Sequence, residues 1–321
     1  MQRWRGVVTR VLLALVGVGL LVSVVRHVGT DVLVPLLEAA LPWMPLALLL
    51  EAARIGCDAV ASALALGPAW RRIGAWRMFL AHVAGHGVMN LMPGGRGAAE
   101  LVKAGLFYEV LGVSEAGALG TTNQANVLIA SAIFSLPCAL AAWASSADPT
   151  LTLAIVLHAV VLFASGVGLR VMVESPFVER FVRRRLPRMA EGFERYQKVS
   201  RAGPRVGAGP VTWMMLGRGA QTLQYAILAH AVGITIGPVL ALTVQGTNLV
   251  AAAVGVLVPG QVGSAEGVFM LAAEALGTTP ARATSIALLA HASGITWTAL
   301  GLAVLFFWRA PKRPDDDARA A

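Results

Sequence analysis

Long apolar runs, each closed by glycine, proline or charge, alternate along the chain with short polar stretches. A helix needs roughly 20 mostly apolar residues to cross a bilayer, and the runs 7–25, 44–66, 116–143, 150–173, 211–232 and 280–308 reach that length. Residues 31–40 are acidic at Asp31 and Glu38, hold Pro35 and are too short to cross, so they are expected at the interface. Two further apolar pieces are interrupted. Residues 78–91 stop at Pro93-Gly94-Gly95-Arg96-Gly97 and are followed by the short segment 100–111. Residues 238–257 stop at Pro259-Gly260-Gln261-Val262-Gly263 and are followed by 266–276. The pattern predicts an all-α polytopic membrane protein with six full spans and two interrupted segments.

Composition agrees. Of 321 residues, 57% are hydrophobic and 13% charged, whereas soluble domains are nearer half apolar and about a quarter charged. A disordered chain is excluded and a soluble globular enzyme is disfavoured. Cys57 and Cys138 lie inside apolar runs with no second cysteine at metal or redox spacing, so neither a disulfide framework nor a zinc site is expected. The net charge of +9 fits basic loops facing anionic lipid rather than nucleic acid. Arg3, Arg5 and Arg10 precede the first run, and no small-residue cleavage site follows it before Arg26-His27, so it reads as a retained span rather than a signal peptide.

Lys and Arg near span ends mark the cytoplasmic side. They concentrate at the N-terminus, at Arg71, Arg72 and Arg77, in residues 174–210 and at Arg309, Lys312 and Arg313. Six spans satisfy all four placements in a cell (inner or plasma) membrane, with both termini cytoplasmic. Each interrupted segment must then leave on the side it entered. Residues 78–115 form a re-entrant hairpin from inside, and residues 238–279 one from outside.

The two breaks repeat each other. Pro93-Gly94-Gly95-Arg96-Gly97-Ala98-Ala99-Glu100 aligns with Pro259-Gly260-Gln261-Val262-Gly263-Ser264-Ala265-Glu266 as P-G-x-x-G-x-A-E, 166 residues apart. A second acidic residue (Glu109, Glu274) and a Leu-Gly pair (Leu111-Gly112, Leu276-Gly277) follow in each, 165 apart. Repeats of opposite orientation are a common transporter plan. The expected division is a first repeat over 1–173, a basic cytoplasmic loop over 174–210, a second repeat over 211–309 and a polar tail over 310–321. Non-helical backbone at membrane depth needs protein or a water-filled cavity to satisfy it, so the tips at Pro93, Gly94, Gly97, Pro259, Gly260 and Gly263 point to a central cavity. Glu100 and Glu266 are expected at the start of the outgoing half-helices. Taken singly, each motif reads equally well as a turn with a capping Glu; the inverted duplication favours the cavity.

These motifs, with Asn90-Leu91-Met92 ahead of the first, resemble the transmembrane domain of lysylphosphatidylglycerol synthases and their stand-alone flippase-like relatives. The resemblance runs over residues 7–308 and implies a lipid-translocating fold with two re-entrant hairpins. The chain ends soon after Trp308, so the synthases' soluble aminoacyl-transferase domain is not expected, nor is synthesis of lysyl-lipid. Family members often carry an acidic residue after the second motif glycine and an Arg in the next span. Here those places hold Ala98 and the uncharged Thr121-Thr122-Asn123-Gln124-Ala125-Asn126, so the resemblance extends to the fold and leaves the substrate open.

Charges at bilayer depth cost roughly 2.5–3.5 kcal/mol each and need a reason. Arg96, Glu100 and Lys103 fall on one face of the outgoing segment. Two cations there suit a phosphate headgroup, against the plainer reading that Glu100 neutralises Arg96. Glu51, Arg54 and Asp58 form a self-neutralising ladder on one face of the second span. Arg218, with Gln221, Gln224 and Tyr225 nearby, either holds a phosphate or snorkels to the interface. With Glu266 and the tip residues Asn90 and Gln261, Arg96, Glu100, Lys103 and Arg218 make up the candidate substrate-binding set. Asn123, Asn126, Gln245 and Asn248 are expected in corresponding spans of the two halves, hydrogen-bonding between helices. His82 and His86 stand four apart without a further ligand set, so helix packing is expected and no metal or cofactor. Arg180, Arg183, Arg184 and Arg188 beside Phe177, Phe181 and Leu186 suit anionic lipid; Asp315-Asp316-Asp317 reads as a solvated tail.

The leading expectation is a flippase that moves a phosphate-bearing amphipathic lipid by alternating exposure at the Pro-Gly tips. A non-catalytic partner of a lipid-synthesis enzyme is the alternative, and an integral-membrane lipid-modifying enzyme a weaker one. A second copy of the chain is the other candidate partner.

Overall fold

The computed structural model describes residues 15, 18–92, 94–145, 149–204 and 206–308. No strand occurs among them, and the protein is an all-α polytopic membrane protein. Helix α1 (Val18–Val28), with Leu15 ahead of it, holds the described part of the first predicted span; residues 7–14, 16 and 17 and the 310–321 tail lie outside the described residues. Helix α2 (Thr30–Ala40) passes through a 3₁₀ turn at Leu41–Trp43 into α3 (Met44–Leu66), and α4 (Trp70–Ile73) follows. Residues 31–40 are therefore not a separate interfacial piece but the front of one 44-residue helical run, Thr30–Ile73. Pro42 and Pro45 permit it because they stand at the first positions of the turn and of α3, where a missing N–H breaks no helical bond. Leu36, Leu37 and Ala40 bury this front against α11 and α14, defined below.

The first interrupted segment is α5 (Ala75–Met89) and α6 (Gly95–Leu111), followed by α7 (Val113–Ser145) and α8 (Pro149–Glu174). Asp148 of the predicted turn before α8 lies outside the described residues. Residues 174–210 hold two helices, α9 (Pro176–Arg185) and α10 (Pro187–Ala202). Helix α11 (Ala208–Ala231) leads to the second interrupted segment, α12 (Pro238–Val254), a 3₁₀ turn at Pro259–Gln261 and α13 (Ser264–Leu271), and α14 (Pro280–Phe307) closes the fold. The run Thr30–Ile73, α7, α8 and α14 are long and apolar enough to cross a membrane. Helix α11, with 24 residues, is also long enough at roughly 36 Å; its polar residues Arg218, Gln221, Gln224 and Tyr225 face other helices.

The 166-residue offset maps α3 on α11, α5 on α12, α6 on α13 and α7 on α14. Packing follows the same map. Helix α3 lies against its counterpart α11. Helix α5 packs on α14, and the mapped pair, α12 on α7, packs likewise; α5–α6 is matched by α12–α13, and α6–α7 by α13–α14. Such reciprocal pairing is what a two-fold relation between halves produces. Each half has its own apolar centre, one around Met78, Phe107 and Leu119 and the other around Tyr225, Phe269 and Ile286.

Glycine sets the closest approach. At the α5–α14 crossing, a Cβ on Gly301 would sit 2.8 Å from Gly87 Cα and 2.5 Å from the Val83 carbonyl oxygen. Without a hydrophobic force between helices in lipid, small residues that let backbones touch supply much of the packing.

Outside the bundle, α10 is pinned under α7 and α8. The buried Gln197 donates to the Val173 carbonyl at 2.7 Å, Arg201 to the Glu174 carbonyl at 2.9 Å, and Tyr196 to Thr121 Oγ1 at 2.6 Å. Burial holds the Tyr196 phenol above its usual range, against the pull of the Thr121 hydrogen bond. Helix α9 buries none of its residues and exposes Phe177 and Phe181 beside Arg180, Arg183, Arg184 and Arg185.

Candidate functional site

The two tips meet. Gly94 (φ 62°) and Gly260 (φ 63°), equivalent in the repeat, both adopt the left-handed conformation that glycine takes without strain. The Gly94 N–H donates to the Val256 carbonyl at 2.9 Å, and a Cβ on Gly260 would stand 3.2 Å from the Asn90 carbonyl oxygen. Pro93 lies outside the described residues; Pro259 opens the 3₁₀ turn. Asn90 ties its tip to α14, donating to Thr298 Oγ1 at 3.0 Å and to the Gly294 carbonyl at 3.4 Å. Gln261 has φ 58°, the one non-glycine residue with positive φ among those described, a strained setting of the kind that concentrates at functional sites. Its carbonyl accepts from Ser264 Oγ at 2.8 Å.

The second matched element has a similar cause. Gly112 (φ 83°) and Gly277 (φ 60°) both have positive φ directly after the buried Leu111 and Leu276.

After the second motif glycine the repeats diverge. Helix α6 begins at Gly95, so Gly97 is helical and Glu100 stands in the second turn rather than at the start. Helix α13 begins only after Gly263 (φ 79°), which puts Glu266 at the third helical position, as expected. The fully buried Glu266 accepts from the Gly263 N–H through Oε2 at 2.8 Å, and its Oε1 lies 2.7 Å from His291 Nδ1. Glu100 instead pairs with the buried Lys103 at 2.6 Å and accepts from Asn123 Nδ2 at 3.5 Å. Arg96, its alternative partner, is left half-buried with no hydrogen bond or ion pair among the described residues.

Beside Arg96 lies the ladder on α3. The buried Arg54 donates to Glu51 from Nη2 at 2.7 Å and Nε at 3.1 Å, and to Asp58 at 3.4 Å. Its Nη2 is also 2.9 Å from His86 Nδ1. Because guanidinium only donates, His86 Nδ1 accepts and the ring proton sits on Nε2, 3.3 Å from Glu51 Oε1. His86 thus belongs to the charge cluster, while His82, four residues earlier, bonds to Ser62 and to the Met78 carbonyl. Arg218 is held inside the bundle by neutral oxygens, Gln221 Oε1 and Ser131 Oγ, both at 2.7 Å. Arg96 and Arg218 both lie in the field of Glu51, Arg54 and Asp58, and Arg218 in that of Arg96. With Glu100 also beside Arg96 and paired to Lys103, three guanidinium groups and one ammonium share one region with three carboxylates.

A polar wall surrounds it. Gln245 donates to Gln221 at 3.2 Å, Tyr225 to Asn248 at 2.7 Å, and Gln224 to Ser293 and the Ala47 carbonyl, each at 3.2 Å. Asn123 and Asn126 lie on α7 and Gln245 and Asn248 on α12, helices that pack together but are not each other's repeat counterparts. The expected correspondence does not hold, because the repeat maps α7 on α14. No group of three His, Cys, Asp or Glu side chains placed to hold a metal occurs among the described residues.

The sequence model of the family described as "Lysylphosphatidylglycerol synthase TM region" matches residues 7–303. No curated protein and no solved structure matches the chain.

Proposed function

Because the chain belongs to the lysylphosphatidylglycerol synthase transmembrane-region family, we propose that it translocates an amphipathic lipid with an anionic, phosphate-bearing headgroup and performs no chemistry on it. The observation that carries this reading is the surplus of positive charge at membrane depth. Arg54 is matched by Glu51 and Asp58, whereas Arg96 has no ion pair among the described residues and Arg218 is held by neutral oxygens. A phosphate entering between Arg96 and Arg218 supplies the missing negative charge, and guanidinium binds it through paired N–H donors.

The tips give the movement its gate. With the Gly94–Val256 and Asn90–Thr298 bonds formed, the hairpins meet at the centre. Parting them toward one side and then the other exposes Arg96 alternately while the tails stay in lipid. Lys103 and Glu100 brace α6, and Glu266 braces α13 through Gly263 and His291. The basic segments support an orientation with the termini on the cytoplasmic face of the cell membrane, in which α9 would meet anionic lipid through Phe177, Phe181 and its arginines.

Translocation in proteoliposomes carrying headgroup-labelled lipids tests this. Movement selective for phosphate-bearing headgroups is expected, lost in Arg96→Ala, a variant that breaks no hydrogen bond or ion pair among the described residues. Folded protein that moves no lipid overturns the reading and leaves a non-catalytic partner subunit in its place.

A further inference from the structure

Between the first half of α5 and the last turns of α14 lies an open, almost wholly apolar groove of about 480 Å³. Trp297 and Leu300 line one end, Trp76, Arg77 and Trp308 the other. From Trp297 to Trp308 is eleven residues, roughly 16 Å of helix rise, or half of the roughly 30 Å hydrocarbon core of a bilayer. The groove therefore has the depth of one leaflet. Its outer end carries the groups found at headgroup level, two tryptophans and an arginine. Arg77 is exposed there, with no hydrogen bond or ion pair among the described residues.

We infer that this groove is a loading site for one anionic phospholipid, an acyl chain lying along α14 and the phosphate at Arg77. Charge complementarity fixes the occupant: an apolar slot alone takes any lipid, whereas an unmatched cation at its mouth selects a headgroup of net negative charge. The inference rests on the translocation reading for its purpose, since the same α5–α14 seam continues past Gly87 and Gly301 to Asn90 and Thr298 at the tip. Its physical content, one preferred lipid in one groove, stands without that reading.

Native mass spectrometry of the purified full chain, given equimolar phosphatidylglycerol and phosphatidylcholine with identical acyl chains, tests it. One retained phosphatidylglycerol adduct is expected. A single interfacial cation is worth about 1 kcal/mol toward anionic lipid, so Arg77→Gln lowers the preference about fivefold. Leu300→Trp and, separately, Val304→Phe fill the groove and remove the adduct, each checked by monodisperse elution and an unshifted melting curve. Arg96→Ala leaves it in place. An unchanged adduct pattern in Arg77→Gln and in the filled variants means ordinary annular lipid and overturns the inference, as does loss of the adduct in Arg96→Ala, which puts the lipid at the centre. An adduct that behaves as expected in a protein that moves no lipid counts against translocation and not against the groove.

Discussion

The amide of Gly94 donates to the carbonyl of Val256 at 2.9 Å, so the breaks in the two halves satisfy each other's backbone. Bare N–H and C=O groups in a membrane interior each cost several kcal/mol unless bonded, and here the partner of one break is the other. Neither hairpin is complete alone.

Two glycines of the first motif should behave in opposite ways. A Cβ on Gly95 would lie 1.8 Å from the Met89 carbonyl oxygen, whereas one on Gly97 meets nothing within 4 Å on a helical backbone. Gly95→Ala should lose about 2 kcal/mol or more, and Gly97→Ala should gain about 0.5–1 kcal/mol. Thermal unfolding in detergent reads both, and a Gly95→Ala protein as stable as the parent would refute this account of the tip.

The arginines separate into one that holds the fold and one that does not. Arg54→Gln strands the buried carboxylate of Glu51 and should cost about 3–5 kcal/mol. Arg96→Gln removes no hydrogen bond or ion pair among the described residues and should change stability by no more than about 0.5 kcal/mol. Equal losses in the two variants would contradict the assigned pairing.

Glu266 should count as a double acceptor. Glu266→Ala leaves the Gly263 N–H and His291 Nδ1 without it, at a cost of about 2 kcal/mol, and His291→Ala less, about 1 kcal/mol. In a double-mutant cycle the pair should couple by at least about 0.5 kcal/mol; strict additivity would deny the contact.

Helix α9 should report anionic lipid. With Cys57→Ser to clear the half-buried native thiol, an environment-sensitive dye on Phe181→Cys should shift to the blue in phosphatidylglycerol liposomes. The shift should shrink in phosphatidylcholine or in about 1 M salt, where screening reduces the Debye length to about 3 Å. A dye equally exposed in every lipid would place α9 off the membrane.

The hairpins and their duplication could be read from the chain because backbone geometry wrote them there. Gly94, Gly260, Gly112 and Gly277 all have positive φ, a demand that leaves glycine at fixed offsets. Side-chain partners leave no such trace. Glu100 is spaced to meet either Arg96 or Lys103, and local spacing does not choose; the structure gives it to Lys103, with Asn123 of α7 alongside. His86 reaches Arg54 across 32 residues and His291 reaches Glu266 across 25, distances at which helical periodicity says nothing. The two motifs, alike in sequence, also start their helices at different points, so Glu266 is a cap and Glu100 is not.

The crossing of Gly87 and Gly301 has a mechanical meaning. The backbones touch there with no side chain between them, so α5 and α14 meet at the closest spacing that helices allow. On one arm of α5 stand Trp76 and Arg77, on the other Asn90 with its bond to Thr298. A methyl added at Gly87 or Gly301 therefore wedges the helices apart between these two arms, and both the groove mouth beside Trp308 and the Asn90–Thr298 tie feel it.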